Sequence, residues 1–341
     1  MKTLALFTLT ALASAAAFAQ PVSSAAAKIV ISGTSTQTTT VGAQGNVSNT
    51  ANAYASAIQN LSSNKGNITI AGTSDQTTTV NGTVENRAEN PGDIALQSLA
   101  SNVGTVKVKS GGSSDQQVTV GRNGSVTNTA SGGGQSTRCD RDCDDAALAV
   151  QSLSSNVGDV TISGSSTQIT EVKGTSAVNN MADGKGAVAI QSLATNIGEV
   201  TIDGKSHQSV SLNKTTVTNF ANGADTTAVQ NLASNYDGVK IMNGGHSDQT
   251  VTATGGTISN EATGRFAQAF QNLSSNFGDV TISGSGYSNQ YTHVNGSVTN
   301  KANGFRSLAV QNLSSNDACD PPNFKLPDCP TGYCGWGRNS L

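Results

Sequence analysis

The residue types that most often carry chemistry are few in this chain and widely scattered. Its three histidines, His207, His246 and His293, sit at unrelated positions, and none follows the pattern of a triad with a nucleophile or of a metal site. Polysaccharide-cleaving enzymes need carboxylates gathered in one groove. Here the acids Asp75, Asp115 and Asp248, and likewise Asp159, Glu199 and Asp279, fall singly at equivalent places of a recurring stretch. That is the spacing of a periodic surface, so an enzyme is not expected. Gly284-Ser285-Gly286 lacks the rest of any phosphate-binding loop. Net charge is −3, with no clustering of Lys and Arg, which argues against nucleic acid as a partner.

Two cysteine-bearing segments deserve a metal test. Cys139-Asp140-Arg141-Asp142-Cys143 is followed by Asp144 and Asp145, and the alternation of Asp140, Asp142 and Asp144 resembles the start of a Ca²⁺ loop. Such a loop needs glycine at its sixth position and a bidentate acid at its twelfth. Those places hold Asp145 and Gln151, so a small loop disulfide or a solvated acidic corner is the better reading. Cys319, Cys329 and Cys334 have no histidine nearby, leaving a tetrahedral zinc site one ligand short. No metal, cofactor or small-molecule substrate is expected. Five cysteines are an odd number, so one thiol is left over or bridges two chains.

What organises the chain is a repeat. A Gln-x-Leu-x-x-Asn core recurs with its glutamine at Gln59, Gln97, Gln151, Gln191, Gln230, Gln271 and Gln311, at spacings of 38, 54, 40, 39, 41 and 40 residues. A second glutamine keeps the same beat at Gln37, Gln76, Gln116, Gln168, Gln208, Gln249 and Gln290. Between them runs a Val/Ile-x-Asn-x-Ala pattern with Asn49, Asn86, Asn128, Asn180, Asn219, Asn260 and Asn300. A fixed period of this size marks a stacked repeat architecture.

Within a unit the side chains alternate with period 2, as in strands. In the fourth unit Val160 and Ile162 share one face, as do Gln168, Thr170 and Val172, then Val178, Asn180 and Ala182, then Ala189, Gln191 and Leu193. Glycine-containing breaks separate these groups. The abundance of Thr, Val, Ser and Gly argues against helix. The expected fold is all-β, a β-solenoid of about seven coils, each of four short strands. At the cross-β spacing it would be about 34 Å long. The apolar faces turn inward and bring the amides with them. A buried amide is costly unless hydrogen-bonded, and stacking lets each pair with its copy above and below. Three inward amide ladders are therefore expected. Asn64, Asn102, Asn156 and Asn276, each two residues before a glycine, read instead as turn caps.

Residues 1–19 read as a secretory signal peptide: Lys2, an apolar run from Leu4 to Phe18, and Ala17-Phe18-Ala19 before the cleavage point. Residues 20–27 form a linker, 28–316 the seven-repeat solenoid with a loop insertion at 131–145, and 317–341 a tail. The tail holds Pro321, Pro322, Pro327 and Pro330, three cysteines and Trp336. Proline lacks a ladder donor, so the tail is expected to stand outside the stack, pinned by disulfides in an oxidising compartment. Leu, Ile, Val and Phe make up only about a fifth of the chain, near the level usual for disorder. Stability must then come from repeated backbone pairing around a thin core.

The pairing of Asn-x-Ala with a later Ala-x-Gln, as in Asn128…Ala149-Val150-Gln151 or Asn300-Lys301-Ala302…Ala309-Val310-Gln311, resembles the curlin repeat of bacterial functional-amyloid fibrillins. The likeness runs through all seven units at the level of the motif. The unit here is nearly twice the curlin length and is closer to that of larger fibrillins. The resemblance implies a secreted bacterial subunit of surface or biofilm fibres whose partner is itself, assisted by an outer-membrane export or nucleator protein. Two other solenoid roles compete. An ice-binding face needs an unbroken outward threonine array, yet the middle of the Val-Thr-Ile strand reads Val30, Thr69, Lys107, Thr161, Thr201, Lys240 and Thr281, with two lysines interrupting. A monomeric adhesin or carbohydrate-binding rod is the stronger alternative.

Overall fold

A computed structural model of the chain describes residues 28–52, 55–90, 92–131 and 147–317. Residues 1–27, read above as a signal peptide and linker, the loop with Cys139 and Cys143, and the tail with Cys319, Cys329 and Cys334 lie outside the described residues.

The first coil sets the pattern with five strands: β1 (Lys28–Ile31), β2 (Thr34–Val41), β3 (Asn46–Ala51), β4 (Ala57–Leu61) and β5 (Asn64–Lys65). The same five positions recur through seven coils, and every strand pairs in parallel with its equivalents in the coils before and after. The result is an all-β parallel solenoid with no helix among the described residues. Four strands per coil were expected. The fifth, β5, is two residues long, too short to show any period. The array closes at Asn316–Asp317, one residue beyond the expected limit.

β2 and β3 lie end to end in one sheet and fuse in later coils into the single strands Lys205–Asn222, His246–Thr263 and Tyr287–Asn303. Their alternating burial follows from β-branched and amide side chains at every second place. β4 and β5 return along the opposite wall. The corner between them turns on a residue in the left-handed region in every coil: Ser62 (φ 51°), Ala100 (47°), Ser154 (51°), Ala194 (52°), Ala233 (47°), Ser274 (48°) and Ser314 (52°). Non-glycine residues seldom adopt that conformation. Here the turn drives the corner inward until Ser154 Oγ donates to Ile169 O on the opposite wall at 2.7 Å and Ser274 Oγ to Tyr291 O at 2.8 Å. The corner thus partitions the interior.

Apolar columns fill the compartments. Leu153, Leu193 and Leu232 of the β4 wall meet Val172, Val178 and Val217 of the long wall. Alanines such as Ala149, Ala182 and Ala189 close the far end. The β1 positions contribute Ile70, Val108, Ile162 and Ile202. A further cluster packs the outward side of β4 (Val150, Ile190, Val229) against that of β5 (Val157, Ile197, Tyr236), because the inward corner folds those two faces toward each other.

Candidate functional site

The features that set this interior apart are its polar columns. Asn49, Asn86, Asn128, Asn180, Asn219, Asn260 and Asn300 form an unbroken ladder in which each Nδ2 donates to the Oδ1 of the next coil at 2.8 Å. Each interior rung also donates to backbone carbonyls; Asn180 reaches Ala149 O and Ile190 O, both at 3.0 Å. Gln59, Gln97, Gln151, Gln191, Gln230, Gln271 and Gln311 form a second ladder, at 2.5–2.9 Å, that runs the opposite way. Each Nε2 donates to the Oε1 of the preceding coil. The asparagine donors therefore point toward the last coil and the glutamine donors toward the first.

The third expected ladder is not formed as such. Gln37, Gln76, Gln116, Gln168, Gln208, Gln249 and Gln290 are in register along β2. Their amides bond across the coil instead. Gln168 Nε2 reaches Asn196 Oδ1 at 3.0 Å, and Gln116 Nε2 reaches Ser155 O at 3.1 Å. No hydrogen bond reaches Oε1 of Gln37, Gln76, Gln116, Gln168, Gln208 or Gln249. The longer side chain extends to the β5 wall rather than along the axis.

The partners it meets there are the asparagines read as turn caps, and that reading is corrected. Asn64, Asn102, Asn156 and Asn276 are buried. With Asn196, Asn235 and Asn316 they make a ladder of their own, Nδ2 to Oδ1 at 2.8–2.9 Å toward the last coil. The signal was present in the repeat core, whose final asparagine never changes, but Asn-x-Gly also matches a turn. One step earlier runs a hydroxyl column. Ser101 Oγ shares its one proton between Leu99 O and Ser152 O, at 2.9 and 3.0 Å, and accepts from Ser155 N.

The residues that could do chemistry are not brought together. Asp75 and Asp115 stack as outward neighbours on β2, and Asp159, Glu199 and Asp279 are exposed at one corner. Asp248 contacts His246 (Nε2–Oδ2 3.1 Å), and His207 is the register neighbour of Asp248. All three histidines lie on the long wall. No group of three or more His, Cys, Asp or Glu among the described residues is placed to hold a metal ion. The outward β1 column lines up as read, so Lys107 and Lys240 interrupt its threonines.

The class so defined is a parallel β-solenoid with buried, laddered amide columns. No family model, curated protein or solved structure matches the chain.

Proposed function

We propose that this protein is a secreted structural subunit that assembles end to end into amyloid-like fibres of the cell surface or biofilm matrix. The carrying observation is the state of its two ends. Each sheet takes a strand from all seven coils, and the array starts and stops at the same phase, so a second chain can continue the stack in register. Apolar exposure opens at the last coil, where Ile282 (40%) and Leu313 (45%) continue the columns of the buried Ile241 and Leu273. Edge strands normally carry proline, charge or a cover; Lys28 is the only charge on β1. The signal-peptide pattern and the curlin-like motif support the extracellular setting.

A monomeric carbohydrate-binding rod is the second reading. Tyr287 and Tyr291, more than half exposed on one face of the last long strand, favour it as a stacking platform. Electron microscopy and thioflavin binding of the purified protein separate the two. Unbranched fibres are expected, and they should vanish in Leu313→Asp, which sets a charge in an inward column of the last coil where the next chain would pack. A wild type that stays monomeric at high concentration leaves the rod.

A further inference from the structure

Resting on the fibre reading, we infer that the joint is head to tail in one register, with the first coil of one copy seated on the last coil of another and Lys65 placed on the partner copy's Asp317. The outward β5 column carries the observation. Along the stack it reads Lys65, Val103, Val157, Ile197, Tyr236, Phe277 and Asp317. The five middle places are buried and apolar, and Tyr236 and Phe277 stack with ring centroids 5.0 Å apart. Charge enters only at the two ends, with opposite sign. Burial already pulls the Lys65 ammonium below its ordinary pKa, so an opposing carboxylate would relieve a strain present in the single chain. Asp317 is held in place by Asn312 Nδ2 at 2.8 Å.

Three ladders specify the same register. The Asn49 ladder ends on an acceptor at the first coil and a donor at the last, so Asn300 of one copy can donate to Asn49 of the next. The Gln59 ladder ends on a donor at the first coil and an acceptor at the last, so Gln59 can donate back to Gln311. A partial ladder is completed by the same step. Asn312 donates to Asn272 and Asn272 to Asn231, whereas the second, third and fourth coils carry Ser98, Ser152 and Ser192 at this place. The first coil returns to asparagine with Asn60, so the asparagine run continues across the joint and not within the chain. Joining two first coils would set lysine ends together, and only a head-to-tail joint continues parallel pairing in every sheet.

Charge exchange tests the joint. Lys65→Asp places acids at both ends and Asp317→Lys places lysines at both. Each alone should raise the concentration needed for fibres about tenfold or more, since like charges then face each other. An equimolar mixture of the two variants should recover fibre formation, as should the double variant carrying both changes in one chain. Circular dichroism checks that each variant is folded. Should either fail, Lys65→Gln and Asp317→Asn replace them, with an intermediate loss expected from each. Wild-type fibres with variants that assemble equally well alone overturn the joint and leave the fibre reading standing. Fibres lost in each single variant and recovered in neither the mixture nor the double also overturn it. A wild type that never polymerises overturns both.

Discussion

An asparagine set in an apolar wall is tolerable only if its donors and acceptor are all engaged. Asn180 meets that condition: it accepts from Asn128, and its two N–H groups are shared among Asn219 Oδ1 at 2.8 Å and two main-chain carbonyls at 3.0 Å. Truncation to alanine would remove those bonds and strand buried groups on several neighbours, each worth about 1–3 kcal/mol. Asn180→Ala is therefore expected to lower stability by about 3 kcal/mol or more. The outward neighbour Asn179→Ala should stay within about 0.5 kcal/mol. Urea unfolding midpoints of the two variants decide this, and equal midpoints would refute the ladder as a stabilising element. The sequence exposed this column because an asparagine that keeps phase while its flanks drift must be doing the same thing each time. It did not expose what the Gln168 amide does, since a glutamine that ladders and one that reaches across the coil keep phase equally well.

Among the elements, the turn from β5 into the next β1 has the strictest requirement. Gly158 has φ +121°, and a Cβ there would lie 2.2 Å from Gly104 O. Gly198 repeats the clash at 2.2 Å against Gly158 O. Both the left-handed conformation and the approach of the neighbouring coil therefore demand glycine. Gly158→Ala should cost about 2 kcal/mol or more, while Gly33→Ala, with nothing within 4 Å of the added carbon, should be close to neutral. Thermal unfolding of both variants measures the difference; equal melting temperatures would overturn the argument. Strands β1 to β4 were legible because each is long enough to show alternation. β5 was not, and with it went the buried role of Asn156, since two residues cannot display a period and Asn-x-Gly already had a simpler meaning as a turn.

At the scale of the whole stack, two carboxyls among the described residues carry a marked response to pH. Asp93, buried, is pushed up to about 6 by desolvation, against the hydrogen bond it accepts from Asn90 N at 2.8 Å. Asp237 is likewise raised to about 6, first by burial and then by the carboxylates of Glu199, Asp279 and Asp159. A carboxyl raised in the folded state takes up a proton on folding between its ordinary value of 3.8 and about 6. Its contribution is greatest below that window and falls as pH rises through 6. Asp237→Asn should flatten part of this slope and stabilise the protein at pH 7 by about 1 kcal/mol, solvent access having reduced the full effect. Melting temperatures at pH 4.5 and 7 provide the measurement, and an unchanged slope in the variant would refute the assignment. At this scale the architecture was legible from the period alone. The carboxyl pair was not, because Asp93 and Asp237 stand outside the repeating pattern and acquire their properties only from the stacking of coils.

The parallel pairing of whole coils also settles how the rod would bear a load. The covalent chain runs across the axis and advances only about 4.8 Å along it per coil, so tension between the ends falls on hydrogen bonds stacked in series. A pull would peel one turn at a time from an end, each release paying out about 130–140 Å of slack chain. Because successive coils offer nearly identical bonds, yielding would be stepwise and close to uniform, as in a tether that lengthens before it parts.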